Sequence, residues 1–173
     1  IFNLLESQDV LDCAKAVQTL GTKIVKRKKY YSVYGNGLNS FKIKKKLTRL
    51  YIGNSLTTAR LLTGLLSTIP SQFYLYGDAS ANRRDFIRVI EPLEKIGAHF
   101  YPRKKTLPLA IEGTSLPLAQ KHIENRGSSQ VKGLILFSAL STPGISTVEE
   151  IREKSSRTHT EIFLKQIGCD VKF

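Results

Sequence analysis

Four polar side chains crowd one short turn in the stretch LYIGNSLTTARLLTGLL, residues 50–66: Asn54, Ser55, Thr57 and Thr58. Their hydroxyl and amide groups can donate to an anion, and an apolar run follows. The first backbone N–H groups of a helix lack an intrahelical acceptor and sit at the positive end of its dipole. A turn of this kind holds phosphate or carboxylate. The same residue types cap any helix, so capping alone explains them equally well. One residue fits neither reading: Leu56, a bulky aliphatic, stands in the middle of the turn. A second turn of the same type opens GSSQVKGLILFSALS and offers Ser128, Ser129 and Gln130.

Two arginine-bearing stretches accompany these turns. GDASANRRDFIRV places Arg83, Arg84 and Arg88 at the start of an amphipathic helix. Arginine there opposes the dipole and needs an anionic partner, for which its planar fork suits carboxylate or phosphate. Asp78 and Asp85 are equally available partners within the chain. KSSRTHTEIF sets Ser155, Ser156 and Arg157 just before another helix, and Thr158 with Glu161 has the spacing of a capping box.

The elements that must position these groups recur along the chain. DVLDCAKAVQTLGTKI from Asp9, DFIRVIEPLEKIGAHF from Asp85 and HTEIFLKQIGCDVKF from His159 each show helical apolar spacing, then a glycine, then a short strand. The glycines are Gly21, Gly97 and Gly168, a helix-stop position. Val10, Ala14, Val17 and Leu20 make one face of the first helix; Phe86, Ile90, Leu93 and Ile96 make that of the second. Pro92 kinks the second or marks a late start. Paired strands follow the first two glycines, around TKIVKRKKYYSVYGNG and AHFYPRKKTLPLAIEGT. The two Ser-rich turns also keep this period of roughly 75 residues and open runs apolar on most sides, which reads as central buried helices. Each unit is expected to run strand, helix, strand, helix, paired strands. The fold class is α/β, with two or three units around a shared core of buried helices whose N-terminal turns face one end.

Bulk properties narrow the function classes. At 173 residues, with 41% apolar content, the chain can bury a core as one domain. No apolar run reaches bilayer-spanning length, and no signal peptide is recognisable. The chain begins with Ile1 in mid-pattern, as expected of a piece of a longer protein. The net charge of +13 points to phosphate-bearing partners, small or polymeric. Its clusters, residues 26–29, 42–46 and 103–105, carry no nucleic-acid-binding signature and read as solvated loops and strand edges. Cys13 and Cys169 lack metal-ligand spacing and read as small core residues of a reducing, cytoplasmic protein. His99, His122 and His159 form no metal or triad motif.

The stretches LYIGNSLTTARLLTGLL, YGDASANRRDFIRVIEPLEKIGA, LPLAIEG, GSSQVKGLILFSALSTPGIS and SSRTHTE resemble, in order and spacing, the successive motifs of the 5-enolpyruvylshikimate-3-phosphate synthase family. This is the glyphosate-sensitive transferase of the shikimate pathway. The resemblance implies transfer of the enolpyruvyl group of phosphoenolpyruvate to the 5-hydroxyl of shikimate 3-phosphate, with release of phosphate and without metal or organic cofactor. It implies two similar domains, each with three βαβαββ units around buried parallel helices. The chain would be most of the N-terminal domain. Ser128, Ser129, Gln130, Ser156 and Arg157 would bind shikimate 3-phosphate. Asn54, Arg84 and Gln130 would contact phosphoenolpyruvate, in a pocket where Leu56 intrudes.

Three positions depart from the family pattern. Leu56 stands where GNSGTT has glycine, Asp85 replaces the proline after Arg84, and Thr158 replaces the aspartate of SRDHTE. The leucine is expected to weaken phosphoenolpyruvate and glyphosate binding or to displace the turn, and Asp85 to compete for Arg84. The family's catalytic proton-transfer residues belong to the other domain, so no catalytic residue is assigned in this chain. A UDP-N-acetylglucosamine enolpyruvyl transferase-like domain and a basic module binding phosphate or nucleic acid are the alternatives.

Overall fold

Three helices end on glycines at positive φ, Gly21 at 97°, Gly97 at 106° and Gly168 at 90°, and each glycine turns the chain out of one repeat's helix. Behind Gly97, the N–H groups of Gly97 and Ala98 bond back to the carbonyls of Glu94 and Leu93 at 3.1 and 3.2 Å. This is a left-handed helix stop that a side chain would strain. The computed structural model describes residues 1–38, 40, 41, 43, 46–102 and 105–173. Of the basic clusters, Lys42, Lys44, Lys45, Arg103 and Lys104 lie outside the described residues.

The middle repeat is complete. It runs β3 (Leu47–Tyr51), α2 (Leu56–Leu66), β4 (Gln72–Tyr76), α3 (Ile87–Lys95), β5 (His99–Tyr101) and β6 (Leu109–Glu112). The sheet order is β3-β4-β6-β5, with β3 parallel to β4 and the other pairs antiparallel. The first repeat contributes α1 (Gln8–Thr19) and the antiparallel pair β1 (Lys23–Lys26) and β2 (Tyr31–Tyr34). The third contributes β7 (Lys121–Glu124), α4 (Ser129–Ala139), β8 (Thr147–Glu150) and α5 (His159–Gln166), with β7 parallel to β8. The βαβαββ order read from the sequence is thus present in full once, and its first four elements appear again.

Period-2 alternation decides which sheet face is buried. Leu50 of β3 lies beside Leu75 of β4, and Phe73 beside Ile111 of β6, all buried. Arg49, Tyr51, Tyr74 and Tyr76 fall on the opposite face, where the Arg49 guanidinium lies 5.4 Å from the Tyr74 ring centre. Against the buried face pack Leu62 and Leu66 of α2, together with Phe86, Ile90, Leu93 and Ile96 around α3. Burying a side chain of this size contributes about 1.5–3 kcal/mol.

α2 and α4 are the central pair. A Cβ added at Gly64 would lie 2.2 Å from the Leu134 carbonyl oxygen, so the two backbones touch where only glycine fits. Thr57 meets Gln130 near one end, and Gly64 meets Leu134 further along. The contacts ascend together in both helices, which therefore run parallel and start at the same end.

Three expectations are corrected. Leu20 of the expected α1 face is buried just past the helix, but within α1 the buried residues are Asp12 and Ala16, while Val10, Ala14 and Val17 are only half-buried. The Asp12 carboxylate takes this buried position bonded by Gln8 and Lys15 at 2.8 and 3.3 Å and packed beneath Gly53. Pro92 lies buried inside α3, so of the two readings given for it the late start is the one overturned. Cys13 and Cys169 are half-buried free thiols rather than core residues. Cys13 falls off the Asp12–Ala16 face, and Cys169 follows the last helix in irregular chain. Among the described residues no helix is long and apolar enough to cross a membrane.

Candidate functional site

The first turn of α2 divides its polar residues between capping and solvent. The Ser55 hydroxyl accepts the Thr58 N–H at 3.3 Å and bonds the Thr58 hydroxyl at 2.9 Å, and both residues are buried. Asn54 and Thr57 remain exposed. Gly53, at φ 57°, turns the chain into the helix; a Cβ there would meet Asp12 Oδ2 at 2.3 Å. Leu56 is the first residue of α2 and packs, half-buried, against the edge of the core cluster. The turn therefore forms with leucine in the glycine position, because the side chain has apolar neighbours.

α4 opens in the same way. The Ser128 hydroxyl accepts the Val131 N–H at 3.4 Å, and the Ser129 hydroxyl has no hydrogen-bond partner among the described residues. Gln130 is engaged at both ends. Its Nε2 donates to the Thr57 hydroxyl at 2.7 Å, and its Oε1 accepts from Arg60 Nη1. Burial, and then the charge of Arg88, hold the Arg60 guanidinium below the usual arginine range; Arg84 adds to this and Asp85 opposes it. Three cations thus converge beside two helix N-termini.

Asp78 and Asp85 are not the partners of those arginines. Asp78 Oδ1 accepts the Ala81 N–H at 2.8 Å, and Asp85 Oδ1 accepts the Ile87 N–H at 2.8 Å. Each aspartate satisfies a helix-start donor next to it in sequence, the cheaper geometry for a short side chain. Competition of Asp85 for Arg84 is accordingly not what the structure shows. Arg88 instead bonds Glu124 Oε1 at 2.9 Å, and Arg84 is exposed with no partner among the described residues.

The loop before α5 is anchored from β8 and α4. Glu150 Oε1 accepts the Ser156 N–H at 2.8 Å, and Glu150 Oε2 accepts from Lys132 Nζ at 2.8 Å. Lys132, 5% exposed, also pairs with Glu161 at 2.6 Å. This overturns the expected capping box: Thr158 makes no side-chain cap, and Glu161 serves a buried lysine instead. The Ser156 hydroxyl is buried beside Glu150 without a partner of hydrogen-bond geometry, and Arg157 is exposed and unpaired among the described residues. A Cβ at Gly127, at φ 67°, would lie 2.6 Å from the Lys154 carbonyl oxygen, so the turn before α4 abuts the loop before α5.

Asn54, Leu56, Arg84, Ser128, Ser129, Gln130, Ser156 and Arg157 are therefore borne by elements that meet at one end of the α2–α4 pair. Sequence reasoning missed Arg60, Glu124, Lys132 and Glu150. Lys132 carried a signal, as a lone charge inside the apolar run QVKGLILF. Arg60 carried one too, one helical turn beyond Thr57. No group of three or more His, Cys, Asp or Glu side chains able to hold a metal ion occurs among the described residues.

The family model described as EPSP synthase (3-phosphoshikimate 1-carboxyvinyltransferase) matches residues 1–173. A 3-phosphoshikimate 1-carboxyvinyltransferase of Nitrobacter winogradskyi is 37% identical over 99% of this chain and 39% of its own length. EPSP synthase from Acinetobacter baumannii superposes with a TM-score of 0.89 at 33% identity, covering 98% of this chain and 38% of that one. The enolpyruvyl transferase NikO from Streptomyces tendae, at a TM-score of 0.54 and 15% identity, shares the fold alone. The chain thus spans about two-fifths of the length of the relatives it matches.

Proposed function

This chain belongs to the EPSP synthase (3-phosphoshikimate 1-carboxyvinyltransferase) family, and on that premise we propose that residues 1–173 form one domain, most of the N-terminal, shikimate 3-phosphate-binding domain of a two-domain enolpyruvyl transferase. The observation that carries this reading is the crowding of Arg60, Arg84 and Arg88 beside the paired starts of α2 and α4, joined by Gln130. Arg88 is neutralised by Glu124, but Arg60 and Arg84 have no ion-pair partner among the described residues, and such positive charge beside two helix starts favours phosphate.

In this reading Ser128, Ser129 and Arg157 take the phosphate of shikimate 3-phosphate. Ser128 accepts the Val131 N–H and keeps its own hydroxyl hydrogen to donate. Ser156 lines the same ligand. Asn54 and the free guanidinium of Arg84 face phosphoenolpyruvate, Leu56 narrows that end, and Gln130 touches both substrates. The whole enzyme transfers the enolpyruvyl group to the 5-hydroxyl of shikimate 3-phosphate and releases phosphate. Donors fixed before reaction lower the barrier because they need no reorganisation as charge develops. The second domain, a required partner, supplies the proton-transfer groups and the other wall of the cleft, so this chain by itself binds without turning over. Small phosphorylated substrates, rather than nucleic acid or membrane, are its ligands, and the cytoplasm is its place.

Isothermal titration of the chain at moderate salt tests this reading. Heat on adding shikimate 3-phosphate, with none on adding UDP-N-acetylglucosamine or single-stranded DNA, is the expected result. Silence toward shikimate 3-phosphate, or enolpyruvyl transfer by the chain alone, would overturn it.

A further inference from the structure

β7 and β8 run parallel and end in register on two carboxylates, Glu124 beside Glu150. Both are withdrawn from solvent: Glu124 is 3% exposed, and the Glu150 side chain 16%. Neighbouring negative charges in such a place are unfavourable unless each is compensated. Each is, and by the same arrangement. Glu124 Oε1 accepts the Arg126 N–H at 2.8 Å and Arg88 Nη2 at 2.9 Å. Glu150 accepts the Ser156 N–H at 2.8 Å on one oxygen and Lys132 Nζ at 2.8 Å on the other.

Each carboxylate therefore ties down the loop that leaves its own strand, and takes its counter-charge from a different helix, α3 for Glu124 and α4 for Glu150. The tied amides lie just before the anion-binding groups: Arg126 precedes the Ser128–Ser129–Gln130 turn, and Ser156 precedes Arg157. The loops also touch through Gly127 and the Lys154 carbonyl. Without these acceptors the loop amides would turn to water, and the loops would have to be ordered by the ligand at a cost in affinity. We infer that Glu124 and Glu150 are positioning residues that pre-form the two phosphate-gripping loops before substrate arrives. This rests on the shikimate 3-phosphate reading of the site. Burial opposes ionisation of Glu150, but Lys132 and Ser156 outweigh it and hold the carboxyl below the usual range, so the acceptor is charged at neutral pH.

The test is shikimate 3-phosphate titration of the wild-type chain against Glu124→Ala, Glu150→Ala, Glu124→Gln and Glu150→Gln. Of the two hydrogen bonds each alanine variant removes, the one to the loop amide orders the site, and its loss weakens binding about tenfold, while glutamine, which keeps an acceptor oxygen, restores it to within about threefold. Glu149→Ala, which breaks only an exposed pair with Lys121, leaves affinity unchanged. Amide hydrogen exchange in the ligand-free wild type needs no variant and covers an alanine chain that fails to fold: the Arg126 and Ser156 amides are already protected. Wild-type binding with unaltered alanine variants, or free-peptide exchange at both amides, overturns the inference alone. Absence of wild-type binding overturns the substrate reading, and the inference with it.

Discussion

The Gln130 side chain donates to the Thr57 hydroxyl at 2.7 Å, joining the first turn of α4 to the first turn of α2, 73 residues earlier. The same amide accepts from Arg60, so one side chain holds both helix starts and a half-buried cation. A double-mutant cycle of Thr57→Val and Gln130→Ala in chemical denaturation should give a coupling of about 0.5–1.5 kcal/mol. Strict additivity would show that the contact contributes nothing.

Lys132 compensates two carboxylates at once. Lys132→Met should cost about 3–5 kcal/mol at neutral pH, because Glu150 and Glu161 are left buried and unpaired. Burial lowers the lysine's proton affinity, but its two carboxylates outweigh that and raise it above the ordinary 10.5. Its contribution is therefore complete below 10.5 and lost as pH climbs through the higher folded value. Glu150, held below 4.5, contributes above that pH and loses its contribution as pH falls toward its folded value. Denaturation curves from pH 3 to 8, roughly spanning the carboxylate range, should show the penalty of Lys132→Met shrinking toward acid. A pH-independent penalty would contradict this.

His122 gives a second pH dependence of known sign. Burial, aided by Lys95 and Arg88 and opposed by Glu124 at 3.8 Å, holds the imidazole below its ordinary 6.5. Its Nε2 is buried without a hydrogen-bond partner. The folded chain therefore binds this proton less readily than the unfolded chain, and stability declines as pH drops below 6.5. His122→Gln should flatten thermal stability between roughly pH 5 and 7. An unchanged slope would assign the dependence elsewhere.

Leu56→Gly tests the departure in the α2 turn. Removing a helix residue that packs against the core should destabilise the chain by about 1–2 kcal/mol. It should also strengthen phosphoenolpyruvate binding in the presence of shikimate 3-phosphate, because backbone N–H groups then approach the ligand unobstructed. Reduced affinity for phosphoenolpyruvate in the variant, read by titration, would show that leucine serves the site.

Local pattern carried much of this protein. The helix stops at Gly21, Gly97 and Gly168, the buried runs of α2 and α4 and the repeating strand–helix order follow from spacing and backbone preference, which neighbouring residues along the chain decide. The long motifs shared with the family carried the identity of the fold and marked Ser129, Gln130 and Arg157 as candidates for the site. What partners each charge was decided only by the tertiary structure. Asp85 lay next to Arg84 in the sequence yet serves the Ile87 N–H, while Arg88 reaches Glu124 from another element. Glu161 had the spacing of a cap and is instead drawn to Lys132. Asp12 is buried on α1 beside Ala16, where the apolar spacing had pointed to Val10 and Ala14. The physical reason is common to all of them. Hydrophobic periodicity is a property of one element, but a buried charge must find its compensation across space, and packing alone determines which opposite charge or free amide comes within about 3 Å.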